Sequence, residues 1–114
     1  MRPDLLVARG ALYLDNQQSY ILAIADFKQA IFLDSTDINA LYNTSLTYYK
    51  ENQYDSAIVF ANKAIAKGNT NSYFVKALSY YQKKEHDHSL QQAILAREAR
   101  LQTPDSLLVK RKPD

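Results

Sequence analysis

The sequence has no cysteine, no tryptophan, two glycines and three prolines in 114 residues. Each shortage removes a class of protein. Without cysteine there are no disulfides and no thiolate sites, and the redox compartment stays open. So few glycines leave no Gly-rich phosphate loop. No stretch approaches the ~18 apolar residues that a membrane span needs. Fourteen basic residues against twelve acidic ones give a net charge of +2, too small to imply nucleic acid. Met1-Arg2-Pro3-Asp4 leads directly into a helical pattern, with no separate apolar segment for a signal peptidase. Met1 is the only methionine and sits almost flush against the first repeating unit. The expectation is a soluble fragment of a longer protein whose targeting signal lies elsewhere; a naturally short protein is the alternative.

What the sequence does contain is repetition. Tyr20, Ala23, Ile24, Ala30 and Ile31 recur 34 residues later as Tyr54, Ala57, Ile58, Ala64 and Ile65. A second echo follows at 32. Leu46, Tyr48, Tyr49, Asp55, Ala61 and Ala64 return as Leu78, Tyr80, Tyr81, Asp87, Ala93 and Ala96. Self-similarity at this period means a solenoid, whose units bury their apolar faces only against neighbours. Abundant Ala, Leu, Ile, Gln and Lys make those units helical.

The punctuation divides the chain into six helices. The first spans about 4–16, with Pro3 suited to its first turn. Ser19 is placed to cap a second over 20–33, and Asp34-Ser35-Thr36-Asp37 supplies turn and capping side chains. A third fits 38–51 and a fourth 54–67, ended by Gly68 as the left-handed residue. A fifth fits 72–84, and a sixth about 87–101. Thr103-Pro104 opens a last short segment to residue 112. Connections of two to five residues make consecutive helices antiparallel neighbours.

Small residues stand where paired helices must approach: Gly10, Ser45 and Ala77 on the first helices, and Ala23, Ala57 and Ser89, then Ala30, Ala64 and Ala96, on the second. Large ones alternate with them, Leu6, Leu41 and Tyr73, then Tyr13, Tyr48 and Tyr80. A bigger side chain at the small positions would push axes beyond the ~8–10 Å of normal packing. In these positions the chain resembles the tetratricopeptide-repeat family over about residues 4–103. Leu41, Ser45, Tyr48, Ala57, Ala61 and Ala64 carry the pattern in the second unit. Leu6, Gly10, Tyr13, Ala23, Phe27 and Ala30 carry it in the first, and Tyr73, Ala77, Tyr80, Ser89, Ala93 and Ala96 in the third. The resemblance implies one all-α domain, a right-handed superhelix of three helix-turn-helix repeats (4–37, 38–71, 72–103) plus a short C-terminal capping helix (104–112).

The departures from the family pattern are informative. No unit ends in proline, and the usual leucine before the small residue is Arg9, Thr44 or Lys76, which weakens helix boundaries rather than the fold. Positions at which some family members clamp a chaperone's C-terminal carboxylate hold Val7, Ala11, Asn43, Asn71 and Val75. Only Asn43 and, loosely, Asn71 suit that task, which argues against a chaperone-tail receptor.

The first helix of each unit carries a second apolar stripe spaced i, i+4, i+7: Val7, Ala11 and Leu14; Tyr42, Leu46 and Tyr49; Phe74, Leu78 and Tyr81. The resemblance places this face on the concave side. Leu46 and Leu78 suit a core as well as a groove, whereas tyrosine offers contact area with a polar tip. Asn43, Lys50 and Gln82 lie beside them, able to bond a peptide backbone or an acidic side chain. The expected partner-binding set is therefore Leu14, Tyr42, Asn43, Leu46, Tyr49, Lys50, Phe74, Leu78, Tyr81 and Gln82, with a protein or peptide as partner.

No chemistry accompanies that face. His86 and His88, two apart at a helix start, diverge and lack further ligands, so no metal is expected. Nor is a cofactor. No histidine is paired by helical spacing with a carboxylate in a plausible pocket, and Asp and Glu read as solvated helix exteriors and turns, so no enzyme is expected. Lys110-Arg111-Lys112 is too short for a membrane-binding cluster. The third unit has the weakest motif, with Ser89, Gln92 and Arg97 for alanine, phenylalanine and isoleucine, and Leu107, Leu108 and Val109 are expected to cover it. The alternative function is a structural or self-association spacer, with contacts around Val7 and Leu107 to Val109.

Overall fold

The computed structural model describes residues 2–15 and 19–101. Among them are six α-helices and no strand: α1 (Pro3–Asp15), α2 (Tyr20–Leu33), α3 (Ile38–Lys50), α4 (Tyr54–Ala66), α5 (Ser72–Gln82) and α6 (His86–Leu101). Packing is most extensive within the pairs α1–α2, α3–α4 and α5–α6, and the pairs stack through α2 on α3 and α4 on α5. The first helices of successive pairs also touch, α1 with α3 and α3 with α5.

Small residues set the spacing within each pair. Ala23, Ala30, Ala57, Ala64 and Ser45 are fully buried. A Cβ on Gly10 would lie 2.5 Å from the ring of Phe27, itself fully buried. The residues equivalent to Gly10 and Phe27 are Ser45 and Ala61, then Ala77 and Ala93. Where the first helix gives up its side chain, the second fills the space with an aromatic ring; where it keeps one, the second shrinks to alanine. The two serines each satisfy a main-chain carbonyl across the pair: Ser45 Oγ donates to Ala57 at 2.7 Å and Ser89 Oγ to Ala77 at 2.8 Å.

The acidic residues do not all sit in solvent as expected. Asp26 is buried and accepts a two-pronged pair from Arg9, Nε and Nη2 each at 2.8 Å. Arg9, at the place of the usual leucine, thus ties α1 to α2, and the pairing pushes its guanidinium pKa up. A buried carboxylate without such a fork would lose its hydration uncompensated.

Between pairs, a stripe of small or short side chains faces backward. Ala40 clusters with Leu6 and Ala30, and Val7 and Ile31 pack against that cluster. Ala40, Thr44 and Thr47 are all fully buried, as are their α5 counterparts Ser72 and Ser79. Thr44 and Thr47 satisfy their hydroxyls on the carbonyls of Ala40 and Asn43, each at 2.7 Å. Lys76 is half-buried in the same stripe, and desolvation pushes its ammonium pKa down. The α1 counterparts are large and exposed: Leu5, and Leu12 at 70%.

Helix ends follow local chemistry with two departures. Asp37 caps α3 by accepting from Ala40 N at 3.1 Å, and Asp34 accepts from Thr36 N at 3.0 Å. α3, α4 and α5 all close with an amide reaching back five residues, Gln53 to Tyr48, Asn69 to Ala64 and Glu85 to Tyr80, each at 2.9 Å. The left-handed residue is Asn52 (φ 63°), Gly68 (φ 100°) or Lys84 (φ 65°). These closures make the boundaries sharp without proline, against the expected weakening. Lys84 ends α5 at Gln82, two residues before the expected end. Ser19 does not cap α2: at φ −119°, ψ 27° it lies outside the extended geometry of an N-cap, and its side chain makes no capping bond. The expected capping helix at 104–112, with Leu107, Leu108 and Val109, lies outside the described residues.

Candidate functional site

The expected row of first-helix residues is accessible, unevenly. Tyr42, Asn43, Leu46 and Tyr49 on α3 are half-buried, as are Val7, Ala11 and Leu14 on α1. On α5, Phe74, Leu78 and Tyr81 are exposed, Tyr81 to 58%. The reason is positional. α3 is flanked by α1 and α5, whereas among the described residues no first helix follows α5. Lys50 and Gln82 are exposed where α3 and α5 end. Val75, at one of the carboxylate-clamp positions, is a core residue at 2% exposure.

Each stripe runs into an aromatic contact at the turn. Tyr49 meets Tyr54 with ring centroids 5.7 Å apart, and Tyr81 meets His86 edge-on at 5.3 Å, in matching register. His88 instead faces Tyr80 at 5.2 Å and Glu85 at 3.2 Å. The two histidines therefore diverge into separate packing contacts. Among the described residues no group of three or more His, Cys, Asp or Glu is placed to hold a metal.

A cleft of about 350 Å³ lies at the turns of the second and third pairs, lined by Asn52, Gln53, Tyr54, Asp55, Ser56 and Lys83. Lys83 pairs with Asp55 and, at 3.0 Å, with Glu85, which raises its ammonium pKa, Asp55 contributing most. Glu85 is held below the usual carboxylate range by Lys83 and then His88. A second cleft of about 330 Å³ is lined by Ile31, Ser35, Leu41, Lys63, Ala66 and Lys67. The sequence reading misses both clefts, because their walls come from turns and helix ends of different units. The nearest sequence signal is the opposite charge of Asp55 and Lys83, 28 residues apart. No helix among the described residues is long and apolar enough to cross a membrane.

This architecture is that of tetratricopeptide-repeat domains. The chain is similar to the first such domain of human RPAP3, with a TM-score of 0.80 and 17% identity over 96% of this chain and 87% of that one. It is also similar to a mutant form of MamA, with a TM-score of 0.78 and 18% identity over 99% of this chain. The chain spans 62% of that MamA chain. No family model matches the sequence, and no curated protein does. At such identities the likeness establishes the fold: all-α, with helix pairs stacked as tetratricopeptide repeats.

Proposed function

We propose that this chain is a non-catalytic protein–protein interaction module that receives a peptide or partner helix along the row of its first helices. The observation that carries the reading is the exposed stripe of Phe74, Leu78 and Tyr81 on α5, in register with Tyr42, Leu46 and Tyr49 on the adjoining α3. Apolar side chains at i, i+4, i+7 on neighbouring helices suit an amphipathic helix or an extended segment laid across them. Leu14 extends the row at one end. Asn43, Lys50 and Gln82 supply the polar bonds that fix register, and Lys50 gives the site a preference for an acidic group. Tyr49 and Tyr81 are the anchors, since aromatic residues with a polar tip dominate such contacts.

The test uses the full chain and peptides selected against it from a display library. Selected peptides are expected to shift amide resonances of α3 and α5. Tyr49→Ala and Tyr81→Ala should each weaken binding by about 1–3 kcal/mol. Peptides that perturb only the turns around Asp55 and Lys83, or that bind the double variant unchanged, would exclude the groove.

A further inference from the structure

The outer face of α2 is out of keeping with the rest of the solenoid. Between Ile21 and Leu33 the only charged or amide side chains are Asp26, Lys28 and Gln29. Asp26 is buried against Arg9, and Lys28 Nζ is turned aside, 5.5 Å above the ring of Tyr48. Beside the exposed Lys28, the residues in solvent are Ile21 (78%), Leu22, Ala25, Gln29, Phe32 (81%) and Leu33. The same register on α4 and its C-cap carries Asp55, Ser56, Val59, Lys63, Ala66 and Lys67, half of them charged. An apolar face of this size on the outer side of a helix is the kind of surface that a neighbour covers. No described residue covers this one.

The spacing of the face says what kind of neighbour fits. Leu22, Ala25, Gln29 and Phe32 step by 3, 4 and 3 residues, the seam of a two-helix contact, with Ile21 and Leu33 flanking it. The seam is also symmetric about Phe27. Under a twofold axis there, Leu22 of one protomer meets Phe32 of the other, Ala25 meets Gln29, and Ile21 meets Leu33. Large apolar groups lie opposite large ones at both ends, with small and neutral groups at the centre. An isologous contact requires that kind of self-complementarity. With Lys28 drawn over Tyr48, no like charges are pressed together. A helix of 14 residues is ~21 Å long, and its one face falls short of the ~1,200 Å² of a standard stable interface, so the contact is weak.

We infer that α2 is an antiparallel homodimer contact, formed by a second copy of this chain. It uses the second helix of a pair, not the first-helix row, and stands or falls independently of the proposed groove. Sedimentation equilibrium of the full chain from micromolar to millimolar concentration should show the average mass rising from 13.0 kDa toward twice that value. Leu22→Glu with Phe32→Glu should hold the chain monomeric throughout with an unchanged circular dichroism spectrum, while Val59→Glu on α4 leaves the rise intact. The absence of native cysteine permits a second measurement. A mixture of the Ala25→Cys and Gln29→Cys chains should oxidise to the mixed disulfide several-fold faster than either chain alone. A chain monomeric at every concentration overturns the inference and assigns the face to a foreign apolar helix or to residues 102–114. A dimer indifferent to the two glutamates, or one that cross-links like with like, overturns it as well.

Discussion

Gly10 and Phe27 constrain each other. In isolation, alanine at position 10 would favour the helix by about 1 kcal/mol. Here the added methyl meets the Phe27 ring at 2.5–2.9 Å, and the ring is fully buried, so it can yield only by displacing its own neighbours. Overpacking of that kind costs about 1–3 kcal/mol and outweighs the propensity gain. Gly10→Ala is therefore expected to destabilise the chain by up to about 2 kcal/mol in urea denaturation. Phe27→Leu should make the second change less harmful than the first. A double-mutant cycle with no coupling between the two sites would show that the ring has room to shift. The same scale explains why Arg9 escaped the sequence reading. Its partner Asp26 lies 17 residues away on another helix, and which faces of α1 and α2 meet is a tertiary fact. Read locally, Arg9 is only a lysine-like exterior residue at a degenerate leucine position.

At the scale of the helix, termination separates what was legible from what was not. Gly68 is readable as a left-handed stop because glycine alone carries no Cβ penalty there. Asn52 is tolerable in that conformation, but Lys84 is not favoured, and nothing in its side chain announces it. It is imposed by register: Lys84 stands 32 residues after Asn52, and the repeat geometry closes both helices alike. Lys84→Gly should therefore stabilise the chain by about 0.5–1 kcal/mol, whereas Asn52→Gly changes little. Thermal unfolding of the two variants checks the difference, and equal shifts would mean that the turn, not the residue, sets the strain. The small-residue positions were legible for the opposite reason. Ala23, Ala30, Ala57 and Ala64 recur at the repeat period, and their burial follows from periodicity alone. Period does not tell how far Leu46 and Leu78 are covered. Both sit on the same stripe, yet only the helix between two neighbours has its leucine half-buried.

Across the whole molecule, stability is a sum of pair interiors and the joints between them, so ends are weaker than the middle. The joints in this chain are closed by fully buried Ala40, Thr47, Ser72 and Ser79, whereas Leu12 at one end and Leu90 and Ile94 at the other are exposed. The two ends are not equal. The first pair has the Arg9–Asp26 fork and the Phe27 ring in its interior. The third pair carries, among the described residues, two buried polar atoms without hydrogen-bond partners, Ser79 Oγ and Gln92 Oε1. Each costs about 1–3 kcal/mol relative to a satisfied group. Ser79 fails where its counterpart Thr47 bonds the carbonyl four residues back. Lys76 adds to the deficit with a definite sign. Its folded pKa lies below its unfolded one, so the charged form is penalised at neutral pH and the loss is recovered only as pH rises through the folded value toward the ordinary lysine range. Native-state hydrogen exchange, at concentrations too low for self-association, should therefore find α6 opening first, α2 later and α4 last. Raising the pH toward the lysine range, after correction for intrinsic exchange, should narrow the gap between α6 and α4. If amides of α6 prove as protected as those of α4, the third pair is supported by something beyond residues 2–101. Deletion of residues 105–114 then decides whether that support is the chain's own C-terminal segment. Loss of protection in α6, with Phe74 and Tyr81 loosened beside it, would tie the cap directly to the binding face.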